Sequence, residues 1–154
     1  MEDKIKVYLA GPFFDDGERE RIEKVRAFFS SGEREGNYEL FVPMDHKIPG
    51  GETMSNQDWA KAVFKMDTEA LEQSDLVVAV YDRHYSDSGT AWELGYAYGL
   101  GTPVILLCTD LTADNSIMPI VAADTIYDFE KFVNDEYFDV STINCLKWNG
   151  LSTL

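Results

Sequence analysis

The feature that most constrains this chain is a pair of unbroken apolar runs, Leu76–Tyr81 (LVVAVY) and Val104–Cys108 (VILLC), with one helix-length segment between them. A strand with one wet face alternates apolar and polar residues, so runs without alternation belong to strands covered on both sides. Covered strands joined through a helix form βαβ units and therefore a parallel sheet.

The same alternation of element types extends along the chain. Lys4–Ala10 (KIKVYLA) reads as a first strand that stops at Gly11-Pro12, and Tyr38–Pro43 (YELFVP) as a second. A charged helix begins at Asp16, with Asp15 or Asp16 as its N-cap and Ile22, Val25, Phe28 and Phe29 on one face. Asn56–Gln73 predicts a long helix with an apolar stripe of Trp59, Val63, Met66, Ala70 and Leu71, interrupted by Asp67. Gly89–Leu100 predicts a helix ended by Gly101. Residues 114–123 read as a loop with one helical turn, Thr125–Tyr127 as a last short strand, and Asp128–Phe138 as a closing helix. The expectation is an α/β fold: one domain over 1–154, with 145–154 as a tail, built on a doubly wound, mostly parallel five-stranded sheet with helices on both faces.

Charge and composition narrow the partners. The chain of 154 residues carries 13 Lys+Arg against 28 Asp+Glu, a formal net charge of −15. Nucleic-acid binding draws on clustered cations that displace phosphate counterions, so no nucleic-acid partner is expected. No membrane partner is expected either, because no stretch approaches the about 20 apolar residues of a span. The start Met1-Glu2-Asp3-Lys4 lacks the character of a secretion signal. Cys108 and Cys145 form no CxxC spacing and suit a reduced, cytoplasmic protein, although one bridge stays open. His46 and His84, the only histidines, do not supply the clusters that hold zinc, so no metal is expected.

In open α/β sheets ligands sit at the carboxyl ends of strands, here the loops after Ala10, Pro43, Tyr81 and Cys108. Glu93 stands out as the only charged side chain between Asp87 and Asp110. A carboxylate on a helix of Gly, Ala, Trp, Tyr and Leu is expected to be buried and to hold its proton more tightly, unless a donor such as Tyr8 or Tyr96 stabilises the anion. Asp67 falls on the Val63–Leu71 face where packing favours an aliphatic side chain, and Asp87 lies in the loop leading into the Glu93 helix. Three acids at one sheet edge suit a reaction in which one carboxylate attacks a sugar carbon while another manages the leaving-group proton. Each has a structural reading too: Asp87 as a helix cap, Asp67 as an ion-paired edge residue, Glu93 as a buried structural acid. His46 and His84 read as loop residues. Ser86 and Ser88 lack the setting of a serine hydrolase, and Gly95, Gly99 and Gly101 fall inside and after a helix, unlike a phosphate loop.

Three segments in order, Tyr8-Leu9-Ala10-Gly11-Pro12-Phe13-Phe14, Ser74-Asp75-Leu76-Val77-Val78-Ala79 and Asp87-Ser88-Gly89-Thr90-Ala91-Trp92-Glu93-Leu94-Gly95-Tyr96-Ala97, resemble the nucleoside 2-deoxyribosyltransferases. That resemblance implies a flavodoxin-like fold and a retaining, ping-pong transfer of 2-deoxyribose between nucleobases. It also implies no cofactor, and a homo-oligomer whose subunits complete one another's sites. It makes Glu93 the nucleophile, Tyr8 the residue that orients it, and Asp67 and Asp87 the acids that contact base and sugar. Gly11, Phe13, Phe14, Gly89 and Met118 fall at substrate-binding positions, Lys47 stands where some members carry a base-reading glutamine, and Asn115 corresponds to an asparagine donated across the subunit interface. Deoxynucleosides and free nucleobases are the implied small-molecule partners. A deoxynucleoside or deoxynucleotide N-glycosidase is the competing enzyme reading, because water attacking the same ester gives hydrolysis, and a non-catalytic nucleotide-binding module is the third.

Overall fold

The computed structural model describes residues 3–82, 87–112 and 115–139. His84, Ser86, Cys145 and the expected tail lie outside the described residues. The elements are β1 (Ile5–Ala10), α1 (Asp16–Phe29), β2 (Tyr38–Phe41), α2 (Asn56–Gln73), β3 (Leu76–Tyr81), α3 (Ser88–Leu100), β4 (Val104–Cys108), α4 (Ile117–Ala122), β5 (Thr125–Asp128) and α5 (Phe129–Val133).

The five strands pair in the order β2-β1-β3-β4-β5, and every pairing is parallel. This is the flavodoxin-like arrangement expected from the sequence, with its topological switch between β1 and β3. Side chains alternate across the sheet. Val7, Leu9, Val78, Val80, Ile105 and Leu107 pack with α1 and α5 on one face. Tyr8, Ala10, Val77, Ala79, Leu106 and Cys108 pack with Leu71 of α2, Leu94 and Ala97 of α3 and Ile120 of α4 on the other. Both faces are covered, which accounts for the unbroken apolar runs of β3 and β4.

At the amino edge of the sheet, carboxylates close open ladder positions: Asp75 accepts from the Lys6 N–H at 2.8 Å and Asp124 from the Val104 N–H at 2.8 Å. α1 opens with a capping box, Asp15 accepting from the Glu18 N–H at 2.8 Å while Glu18 accepts from the Asp15 N–H at 3.2 Å and the Phe14 N–H at 2.6 Å. The closing helix is shorter than expected, ending at Val133 and not Phe138. Asn134 donates back to the Glu130 carbonyl at 2.7 Å and Asp135 accepts from the Tyr137 N–H at 2.8 Å, a local turn that competes with further helix. The chain then folds Phe138 back onto Phe28 and Phe132.

Candidate active site

α3 carries the lone charge of its segment into the site. Asp87 is its N-cap, accepting from the Thr90 N–H at 2.8 Å and the Thr90 hydroxyl at 3.0 Å. The capping interpretation of Asp87 therefore holds as geometry. Gly89 leaves room for it: a Cβ there would stand 3.0 Å from Asp87 Oδ2. One and a half turns further along, Glu93 faces back toward β1 and α2. Its Oε2 is sealed from solvent without a hydrogen-bond partner among the described residues.

Glu93, Asp67 and Tyr8 converge. Asp67 and Glu93 line one cavity of about 590 Å³ between α2 and α3, together with Trp59, Val63, Phe64, Leu71, Gly89 and Trp92. Burial pushes the Glu93 carboxyl from 4.5 up to about 8; Tyr8 pulls it down, while the charges of Asp67 and Asp87 add to the rise. Burial, followed by the charges of Glu93 and Asp67, raises Tyr8 above the ordinary phenol value. Tyr8 is wholly enclosed, and its hydroxyl lies near enough to Glu93 for each to alter the other's proton affinity, but it does not reach a well-formed hydrogen bond. Asp67 is raised by burial as well, opposed by His46, and its Oδ1 is enclosed and unpartnered among the described residues. Asp67 and Glu93 thus line one cavity while one carboxyl oxygen of each is enclosed and unpartnered among the described residues, and unsatisfied buried carboxyls of this kind cluster at functional sites.

Several expectations fall differently. The stripe on α2 divides: Leu71 is buried in the core cluster with Ala70 packed against it, whereas Trp59, 48% exposed, and Val63 line the cavity. Asp67 lies where the stripe passes from core to cavity wall. Tyr96 serves Glu72 of α2, its hydroxyl donating to Oε1, and not Glu93. Phe13 and Phe14 stack on each other with ring centres 5.4 Å apart at the carboxyl end of β1, Phe14 standing 71% exposed, and neither lines the Glu93 cavity. Lys47 is exposed in the loop after β2 and does not line it either. Met118 lines a second cavity of about 510 Å³ between α3 and α4, with Tyr81, Leu94, Tyr98 and Val121, and is 78% exposed. Asn115 is fully buried. Gly11 ends β1 at φ 154°, where a Cβ would meet Ile22 Cδ1 at 3.0 Å and Val80 Cβ at 3.2 Å.

Sequence reasoning missed Phe41, His46 and the ring of Trp59, Phe64 and Trp92 around the cavity. Phe41 stacks on Tyr8, His46 stacks on Phe41, and Phe64 contacts Trp92. A signal was present for the tryptophans, since aromatic residues flanking an out-of-place acid on two helices are unusual for a plain core face. None existed for His46, whose contact depends on the loop's path. Among the described residues, no group of three or more His, Cys, Asp or Glu is arranged to hold a metal ion.

The nucleoside 2-deoxyribosyltransferase family model matches residues 7–134. A nucleoside deoxyribosyltransferase of Limosilactobacillus fermentum is 30% identical over 110 residues, and the match spans 66% of this chain and 64% of that protein. One from Lactobacillus leichmannii is 24% identical over 113 residues, spanning 70% of this chain and 72% of that protein. The solved 2-deoxyribosyltransferase of Bacillus psychrosaccharolyticus matches with a TM-score of 0.77 at 28% identity, covering 93% of this chain and 98% of that one. A conserved protein from Enterococcus faecalis V583, at 22% identity and a TM-score of 0.57 over 99% of this chain and 91% of its own, shares the fold. With its sequence matched from β1 to the end of α5 and Asp67 and Glu93 lining the α2–α3 cavity, the chain belongs to the nucleoside 2-deoxyribosyltransferase family.

Proposed function

We propose that this protein transfers 2-deoxyribose between nucleobases through an ester to Glu93, with retention at the anomeric carbon. The observation that carries this reading is the enclosed Glu93 carboxyl facing Asp67 across one cavity, beside Tyr8. An ionised Glu93 attacks C1′ as the N-glycosidic bond breaks. The bond electrons leave with the base nitrogen, which takes a proton from Asp67 or Asp87, and a second base displaces Glu93 from the same carbon with the proton returned. Two inversions give retention. A 2-deoxy sugar has no electron-withdrawing 2-hydroxyl, so its oxocarbenium-like transition state needs little beyond this carboxylate and acid. Tyr8, whose hydroxyl lies close to Glu93, orients the nucleophile by donating to it once the carboxyl is ionised.

Unphosphorylated substrates fit better than nucleotides. Three amides at the start of α1, those of Phe14, Asp15 and Glu18, are taken by the side chains of Asp15 and Glu18, and these acids repel a 5′-phosphate. We further propose a homo-oligomer with shared sites. Tyr98, Met118 and Val121 present an apolar surface 67%, 78% and 55% exposed, which a second copy would cover.

Incubation with deoxyadenosine, with and without cytosine, tests the transfer by chromatography. Deoxycytidine formation in the wild type, abolished in Glu93→Ala, is the expected outcome. Free adenine released equally fast without acceptor would assign a hydrolase instead, and undiminished exchange in Glu93→Ala would remove Glu93 from the mechanism.

A further inference from the structure

The chain between β2 and α2, residues 42–55, contains two short 3₁₀ turns, Pro43–Asp45 and Gly51–Thr53. Each closes on its own backbone, the Asp45 N–H donating to the Val42 carbonyl at 3.0 Å and the Thr53 N–H to the Gly50 carbonyl at 3.1 Å. Bonds of this kind fix the shape of a turn and leave its place in the fold to other contacts. At the first turn that contact comes from α1: Arg26 Nη1 donates to Asp45 Oδ2 at 2.7 Å and Nη2 to Oδ1 at 3.0 Å. Glu23, one turn back on α1, takes the rest of the fork, accepting from Nε at 3.2 Å and from Nη2 at 3.3 Å. The guanidinium thus spans two carboxylates in one orientation, a planar geometry that lysine does not supply.

At the second turn the segment meets the site. Gly51 lies against the indole of Trp59, so that a Cβ at 51 would stand 3.1 Å from Trp59 Cδ1 and 3.5 Å from Nε1. Gly51 is not among the glycines with positive φ, so the ring and not the backbone is what a side chain there would disturb. Trp59 in turn lines the cavity shared by Asp67 and Glu93. A ring half exposed to water has few neighbours, and the backbone behind it decides where it stands. The 42–55 segment therefore links a helix packed on one face of the sheet to a cavity wall on the other.

We propose that Arg26 is a positioning residue of the deoxyribosyl-transfer site: through Asp45 it fixes the 42–55 segment, and through Gly51 that segment fixes the Trp59 wall of the cavity in which the nucleoside binds. This rests on the transfer reading above. Releasing the ion pair lowers the fraction of molecules with the wall in place, and the apparent affinity falls by that fraction, while the bound and reacting complex is unchanged. The effect is on KM and not on kcat.

The test uses the full chain labelled with 5-fluorotryptophan, with Trp59→Phe identifying the Trp59 resonance by 19F NMR, and deoxyadenosine–cytosine exchange as the kinetic readout. In Arg26→Gln the Trp59 resonance is expected to shift or broaden, and KM for deoxyadenosine to rise about threefold, the size of a well-formed exposed ion pair, with kcat unchanged. Arg26→Lys, which keeps the charge without the fork, is expected to fall between Arg26→Gln and the wild type. Asp45→Asn is expected to match Arg26→Gln, and the double variant to be no worse than either, since all three lose one contact. Asp45→Asn also serves if Arg26→Gln does not fold. Gly51→Ala is expected to move the same resonance and raise KM with the ion pair intact. An unmoved Trp59 resonance in the Arg26 and Asp45 variants, or a KM that stays at the wild-type value, overturns the proposal. A resonance that moves in the variants of a protein whose wild type exchanges no bases leaves the anchoring of Trp59 standing and removes the transfer reading instead.

Discussion

Glu93 shows how one residue ties stability to function. Its carboxyl is raised from 4.5 to about 8 in the fold, so folding favours the protonated form and stability falls as pH rises across that window. Glu93→Gln is therefore expected to equal the wild type in urea denaturation at pH 4 and to exceed it by on the order of 4 kcal/mol at pH 8. On the proposed reading, that cost comes with keeping an ionisable nucleophile away from water. Gly11 has the opposite character. Gly11→Ala imposes a side chain on a backbone at φ 154° and against Ile22 and Val80, and is expected to lower stability by about 2–4 kcal/mol in the same assay.

Elements are placed by their ends as much as by their faces. Parallel strands leave N–H groups open at the amino edge of the sheet, and Asp75 and Asp124 close two of them. Asp124→Ala uncovers the Val104 N–H beside the buried β4, and a loss of about 1–2 kcal/mol by thermal unfolding is expected. α2 illustrates the reverse problem. Its helical period was legible in the sequence, and so was the anomaly of Asp67, but the period alone does not tell a stripe that packs on a sheet from one that walls a cavity. The position of α3 across from it decides that. The closing helix failed for a comparable reason, because Asp135 offers its side chain to a nearby N–H and stops a pattern that periodicity alone would extend.

The whole molecule leaves an apolar surface over α3 and α4 on a chain whose net charge of −15 otherwise keeps copies apart. If a second copy covers it, sedimentation of the wild type shows an oligomer, and Met118→Lys is expected to shift the population to monomer, since a buried cation without a partner is costly. A monomeric wild type at micromolar concentration would remove the shared-site reading. What the sequence determined by itself is the alternation of covered strands and helices, hence the parallel sheet, and the identity of the out-of-place acids: both are local properties, set by period and by polarity against an apolar background. Only the tertiary structure decided that Asp67 and Glu93 share a cavity beside enclosed Tyr8, that Tyr96 serves Glu72, and that His46 rests on Phe41. Those contacts join β1, β2, α2 and α3 across long stretches of chain, and their geometry follows from strand order and helix placement, which no local pattern encodes.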